Sequence, residues 1–291
     1  MLHEIIRLPV QYREAGIENN GFTPRLTTYI LSNSIEINSS RKRPLVLICP
    51  GGAYRFTSFR ESEPIALRMN SLGFHACVLE YSCAPMDFPA AFLDLCEAVK
   101  YVRNHTETWS VDVNKVIVCG FSAGAHLAAS LGVWWNTAFP RKYLPYTASE
   151  IRPDGLLLGY PVITSGVFCH EESIRNVLGP KHNTDEWRNF VSLEKSVNGD
   201  VPPVFIWHTA EDEPVPVQNS LLFVESLARH HISFEYHVFA RGGHGLSLAT
   251  EETAEEPAHV QKPCSIWPDM FASWVSSVMY GIVSLQGFPV R

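Results

Sequence analysis

The sequence predicts an α/β protein with a mostly parallel, eight-stranded sheet and helices on both faces. From residue 45 onward, short apolar runs alternate with segments of helical period, as in Leu45-Val46-Leu47-Ile48-Cys49 followed by residues 62–72. Those runs are apolar at every position, which suits strands covered on both faces of a parallel sheet. The chain has 291 residues, 46% apolar and 18% charged, enough for a large core. No repeat, low-complexity tract or linker divides it, so one domain is expected.

Each element follows from local signals. Residues 2–8 and 25–31 read as two short strands, an antiparallel start to the sheet. Residues 38–44 are polar and basic, an exposed turn. Strand 45–49 stops at Pro50-Gly51-Gly52-Ala53-Tyr54. Residues 62–72 form a helix, with Pro64 in its first turn and Gly73 at its stop. Strand 75–81 follows, then helix 89–105, where Ala91, Leu95, Ala98, Val99 and Val102 share a face. Strand 116–119 runs into a sharp turn and a helix. Strands 155–161, 204–208 and 234–239 complete the sheet. Between them lies helix 215–230, with Leu221, Leu222, Val224 and Leu227 on its apolar side. A last amphipathic helix is expected at about 265–281. Residues 162–203 are too long for an ordinary connection between strands. They read as a small lid over the C-terminal edge of the sheet, with 133–150 as a second wall.

Composition excludes several functions. A net charge of −7 argues against nucleic acid or an anionic membrane as partner. No stretch has the length of a membrane span, and the first residues lack the pattern of a secretory signal. Seven scattered cysteines without CxxC pairs fit a reduced cytoplasm. There is no HExxH, no P-loop and no GxGxxG after a strand, so neither metal nor cofactor is expected.

The chemistry centres on Gly120-Phe121-Ser122-Ala123-Gly124. A β-branched run precedes it and Ala125-His126-Leu127-Ala128-Ala129 follows, which reads strand, tight turn, helix, with a serine at the tip. A serine hydroxyl needs a base, usually a histidine held in one tautomer by a carboxylate. Of twelve histidines, His244 sits in a glycine-rich loop after the last strand, at the same sheet edge as Ser122. His126 belongs to the elbow helix and should point away, as a buried hydrogen-bonded residue. His208 and His237 fall in strands. The acid should follow strand 204–208, where Glu211, Asp212 and Glu213 are available. Asp212 is the choice, because a short carboxylate suits a turn closed by Pro214. Backbone amides of Gly52, Ala53 and Ala123 are the candidate donors to an oxyanion. Tyr54 and Phe121 are candidates to close an acyl pocket.

These stretches carry a resemblance. Pro50-Gly51-Gly52-Ala53-Tyr54, Ser58 to Ala66, Tyr81 to Pro85, Gly120 to Ala128, His208 to Asp212 and Gly242 to Gly245 keep the order seen in α/β-hydrolases. The chain resembles the acetyl-xylan-esterase-like carboxylesterases of the esterase/lipase group. The resemblance implies a triad of Ser122, Asp212 and His244 and esterase activity, acetylated sugars included. Pro50 and Ala53 depart from the His-Gly-Gly-Gly of hormone-sensitive-lipase-like enzymes. The expected partner is a small ester, with a homodimer left open. Rival readings are an arylformamidase, a small amidase or peptidase, and, from another class, a noncatalytic ligand-binding protein.

Overall fold

The computed structural model describes residues 1–279 except Glu14. The chain opens with β1 (Ile5–Arg7) and β2 (Arg25–Tyr29), antiparallel, with Leu2 bridging Ile30. Then follow β3 (Arg43–Cys49), α1 (Glu63–Ser71), β4 (His75–Glu80), α2 (Ala90–Asn104), β5 (Val111–Phe121) and α3 (Ala123–Trp134). Two single turns, α4 (Ala138–Arg141) and α5 (Ala148–Ile151), lead to β6 (Gly155–Gly159). The insert carries α6 (Glu171–Leu178) and α7 (Asp185–Phe190). The remainder is β7 (Val204–Thr209), α8 (Gln218–Arg229), β8 (Phe234–Phe239) and α9 (Trp267–Trp274). The eight strands form one sheet in the order β1-β2-β4-β3-β5-β6-β7-β8, with β3 to β8 parallel.

Strand alternation divides the core. Leu45, Leu47, Val116, Val118, Leu156 and Leu158 face one cluster with α2 and α3, while Val46, Ile48, Ile117, Cys119, Leu157 and Trp207 face another with α1 and α9. Burial on both faces explains why these strands are apolar at every position. Register brings Cys49 opposite Gly120, Phe121 opposite Gly159, and Gly159 opposite Trp207. The loops leaving β3, β5, β6, β7 and β8 therefore gather at one sheet edge, where a parallel sheet presents its sites.

Several elements differ from the expected ones. β3 and β5 begin earlier than the apolar runs, because Arg43 pairs with Val111 across an irregular register. α2 is buried nearly all round, from Ala90 to Val99, since the sheet, α3 and the insert enclose it. The buried side of α8 is Asn219, Ser220, Phe223, Ser226 and Leu227, whereas Leu221 is exposed. The helix is rotated so that Ser220 reaches His208 and Asn219 caps the amides of Ile163 and Thr164. α6 buries Ser173, Ile174, Val177 and Leu178 on one side. The last helix is α9 followed by a wider turn at Val275–Met279; residues 280–281 of the expected helix lie outside the described residues. No helix among the described residues is long and apolar enough to cross a membrane.

Candidate active site

β5 ends at Phe121, and Ser122 turns the chain into α3 with φ 52° and ψ −120°. An L-residue with a side chain rarely adopts that backbone, and neighbours must hold it there. The Ser122 N–H donates to the Gly159 carbonyl at 3.0 Å, and its carbonyl accepts from Val162 and from the first turn of α3. Gly124 is required by close approach: a Cβ there would stand 2.1 Å from the Cys49 carbonyl oxygen. The serine is 6% exposed, more enclosed than a serine at the tip of a turn was expected to be.

His244 arrives from the loop after β8 and Asp212 from the loop after β7. His244 Nε2 lies 2.7 Å from Ser122 Oγ, and His244 Nδ1 lies 2.7 Å from Asp212 Oδ2. With Nδ1–H donated to the carboxylate, Nε2 is left to accept the serine proton. Asp212 is buried; its Oδ1 accepts the Val215 N–H at 3.0 Å. Burial pushes its carboxyl up, but hydrogen bonds from His208 and His244 pull it further the other way, to about 2. Glu211 and Glu213 are exposed, and Glu211 bonds the Gly242 amide instead.

The loop after β3 faces this line. Gly52 has φ 127°, and a Cβ on it would fall 2.1 Å from the Phe56 carbonyl oxygen, so glycine is needed there. Ala53 and Tyr54 both have φ 55°. Among the described residues, the amides of Gly52, Ala53 and Ala123 donate no hydrogen bond. Gly52, Ala53, Ser122 and His244 line a common cavity of about 180 Å³, together with Arg55, Phe56, Ser58, Arg60, Glu61, His170 and Gly245.

Two expected pocket residues are elsewhere. Phe121 is fully buried against Tyr160 and Trp267, on the opposite side of the sheet from α3. Strand alternation puts it with Ile117 and Cys119. Tyr54 is also buried, its hydroxyl 2.9 Å from His126 Nδ1, and it lines a small enclosed space beside α2 and α3. Its place follows from the positive φ of the loop, which turns the side chain under α3. Residues 133–150 do not line the Ser122 cavity either; Trp134 and Phe139 stack with Phe88, Phe92 and Phe190. His126 is the buried histidine expected, held by Tyr54 and by the Val191 carbonyl. Burial lowers its pKa to about 4.

The sequence reading assigned no site role to the rest of the cavity wall, His170, Arg60 and Glu61 among it. His170 caps α6 and faces His244, ring centroids 6.5 Å apart. Its pKa is lowered by burial and by His244. Glu61 and Arg60 come from the turn before α1. Their motif was noticed, but nothing local indicates that Glu61 is buried.

A mostly parallel eight-stranded sheet with a serine at the β5–α3 elbow, and histidine and aspartate in later loops, is an α/β-hydrolase. The chain belongs to the BD-FAE family, whose model matches residues 34–227. It is 38% identical over 236 residues to endo-1,4-beta-xylanase B of Butyrivibrio fibrisolvens, covering 80% of this chain and 36% of that protein. Over 206 residues it is 26% identical to an acetylxylan esterase of Xylanibacter ruminicola, 69% of this chain and 40% of that protein. The chain thus spans well under half the length of these two relatives. Among solved structures, it superposes on an acetyl ester-xyloside bifunctional hydrolase from Caldicellulosiruptor lactoaceticus with a TM-score of 0.81 and 33% identity, over 95% of this chain and 97% of that one. A carboxylesterase from Lactobacillus plantarum gives 0.78 and 27%, with the same coverage. Esterases recur among the proteins to which this chain is similar.

Proposed function

We propose that this chain is a serine esterase that cleaves short-chain carboxylic esters, acetylated sugars among them, through an acyl-enzyme on Ser122. One observation carries the reading. Ser122 Oγ, His244 and Asp212 form a continuous hydrogen-bonded line, with both histidine contacts at 2.7 Å, beside three amides that have no other acceptor.

Ser122 Oγ attacks the ester carbon while its proton passes to His244 Nε2. The carbonyl electron pair moves onto oxygen, and the amides of Gly52, Ala53 and Ala123 receive the oxyanion. Asp212 holds the imidazolium that forms. Collapse expels the alkoxide, which takes the proton from Nε2. Water, deprotonated by the same nitrogen, then releases the acid and restores Ser122.

Arg55, Ser58, Arg60 and His170 on the cavity wall offer hydrogen-bond partners to a hydroxylated alcohol, and the acetyl-ester relatives point the same way. Residues 162–203 contribute His170 to the cavity, and Asn176 Nδ2 donates to the Ala53 carbonyl at 2.8 Å, which supports reading the insert as a cap. All seven cysteines are free, which supports a cytoplasmic placement. The test is labelling by a fluorophosphonate together with turnover of p-nitrophenyl acetate, acetylated xylo-oligosaccharides and N-formylkynurenine. Labelling at Ser122 with turnover of the acetyl esters is expected. Absence of labelling and turnover overturns the enzyme reading; turnover of the formamide alone overturns the esterase reading.

A further inference from the structure

Glu61 is a carboxylate that the cycle above does not use. It is 3% exposed, yet it lines the cavity with Ser122 and His244. Its two oxygens serve two different loops. Oε2 accepts the Gly51 N–H at 2.7 Å, in the loop after β3. Oε1 accepts the Tyr160 hydroxyl at 2.6 Å, just after β6. The Tyr160 oxygen accepts the Ser247 N–H at 3.0 Å, three residues past His244 in the chain. The Tyr160 ring stands edge-on to the His244 ring, 5.1 Å between centroids.

Tyr160 accepts from Ser247 and gives its own proton to Oε1, while Gly51 gives a proton to Oε2. Both carboxyl oxygens are acceptors, as in the ionised form. Burial works against that charge and raises the pKa, so the two donors are what hold it. A negative charge behind the Gly51 amide does nothing to attract a developing oxyanion. Its contribution has to be geometric.

Strain supports a geometric role. Eight non-glycine residues have positive φ among the described residues, and Ala53, Ser122, Tyr160 and Ser247 are four of them. All four lie in the loops that converge on this carboxylate. Strained backbone persists only where surrounding contacts over-determine it. Gly51 is pressed between the two: a Cβ there would be 2.7 Å from Glu61 Oε2 and 3.0 Å from Ser122 Cβ.

We propose that Glu61 is a positioning residue that ties the oxyanion loop to the His244 loop, through Gly51 on one side and Tyr160 and Ser247 on the other. The inference rests on the serine-esterase reading. Glu61→Gln keeps the shape but has one acceptor oxygen: with that oxygen on the Gly51 N–H, the amide NH2 can hold Tyr160 only by reversing the bond, which leaves the buried tyrosine proton without its acceptor. On p-nitrophenyl acetate, its kcat should fall by about 10- to 100-fold with KM within about twofold, because the lost interaction acts on transition-state geometry. Inactivation by a fluorophosphonate should slow in parallel, since the tetrahedral adduct uses the same amides. Tyr160→Phe should lose activity in the same direction. The double variant should fall less than the product of the two single effects, because both cut one connection. If Glu61→Gln fails to fold, Tyr160→Phe alone decides. Unchanged kcat per titrated site in either variant, or fully multiplicative losses, overturns the inference. Ser122→Ala separates the two levels: an active Ser122→Ala overturns the esterase reading, whereas an inactive Ser122→Ala with a fully active Glu61→Gln overturns this inference alone.

Discussion

His208 Nε2 stands 3.2 Å from Oδ2 of Asp212, the same oxygen that takes His244 Nδ1 at 2.7 Å. His208 also meets the Val215 carbonyl at 3.0 Å through Nε2 and the Ser220 hydroxyl at 2.6 Å through Nδ1. A carbonyl on Nε2 requires a proton there, so Nε2–H is shared between the Val215 carbonyl and Asp212 Oδ2. It acts as a buried donor that orients the carboxylate from below. A histidine in the middle of an apolar strand thus serves the acid of the site rather than the core alone.

Asp212→Asn should lower kcat by about three to four orders of magnitude, since the amide cannot hold His244 in the accepting tautomer. His208→Gln should cost about tenfold, as expected when a supporting contact is lost. Glu211→Gln and Glu213→Gln should stay close to wild type, because both side chains face solvent. Steady-state kinetics on p-nitrophenyl acetate decide this. A silent Asp212→Asn beside an inactive Glu211 or Glu213 variant would show that a different carboxylate carries the role.

Ser122→Ala should reduce kcat/KM by about three to six orders of magnitude while the fold stays intact. The backbone makes a sharper distinction. At φ 52° and ψ −120° a Cβ is strained, and glycine is not. Ser122→Gly should therefore be more stable than Ser122→Ala by about 1–2 kcal/mol, with both inactive. Urea unfolding of the two variants measures the difference directly. Equal stabilities would mean that the elbow stores no backbone strain.

The strands and the elbow were legible because each depends on its own few residues. Apolar runs report burial on two faces, and Gly120 to Gly124 reports a turn that only small residues permit. The order Ser122, Asp212, His244 could be read because each lies just beyond a strand that ends at the same sheet edge. Phe121 was misjudged although the signal existed: parity with Ile117 and Cys119 along β5 assigns it to the other face. Glu61 was not legible. Its partner Tyr160 lies 99 residues away, and nothing local distinguishes it from the partly exposed Glu63. A buried charge is visible only when the groups that satisfy it are in place.

His126 and His75 should withdraw stability between pH 6.5 and 4, against the opposite pull of Asp94, whose carboxyl burial raises to about 6. His126 is wholly buried, its Nε2–H donated to the Val191 carbonyl and its Nδ1 accepting from Tyr54. Burial depresses its pKa to about 4, and burial does the same to His75. The unfolded chain binds a proton at each histidine below about 6.5, whereas the folded chain does so only near 4. Unfolding therefore takes up protons in this window, and stability is lost as pH falls through it. For His126 the loss is on the order of 3 kcal/mol by the acid end. His126→Gln should start from a lower plateau and show a shallower slope. A His126→Gln profile parallel to that of the wild type from pH 7 to 4 would contradict a neutral buried His126.

Short acyl chains should be preferred, with kcat/KM on p-nitrophenyl esters greatest at about two to four carbons. The reason is not the one the sequence suggested, since Tyr54 and Phe121 lie outside the cavity. It is the wall itself. Arg55, Ser58, Arg60, Glu61, His170 and His244 surround Ser122, and Phe56 is the large apolar side chain among its lining residues. An alkyl chain gains up to about 0.8 kcal/mol for each methylene buried on apolar surface. The charged heads of Arg55, Arg60 and Glu61 have to keep their polar partners, so a long chain laid across them displaces that hydration at a cost. A hydroxylated leaving group reverses the balance, because the same side chains can exchange water for sugar hydroxyls. Rates measured from acetate to decanoate test the acyl side, and acetylated xylose against p-nitrophenyl acetate tests the alcohol side. A maximum at eight or more carbons, or activation at a lipid–water interface, would show that an apolar trench opens where this structure places arginine and histidine.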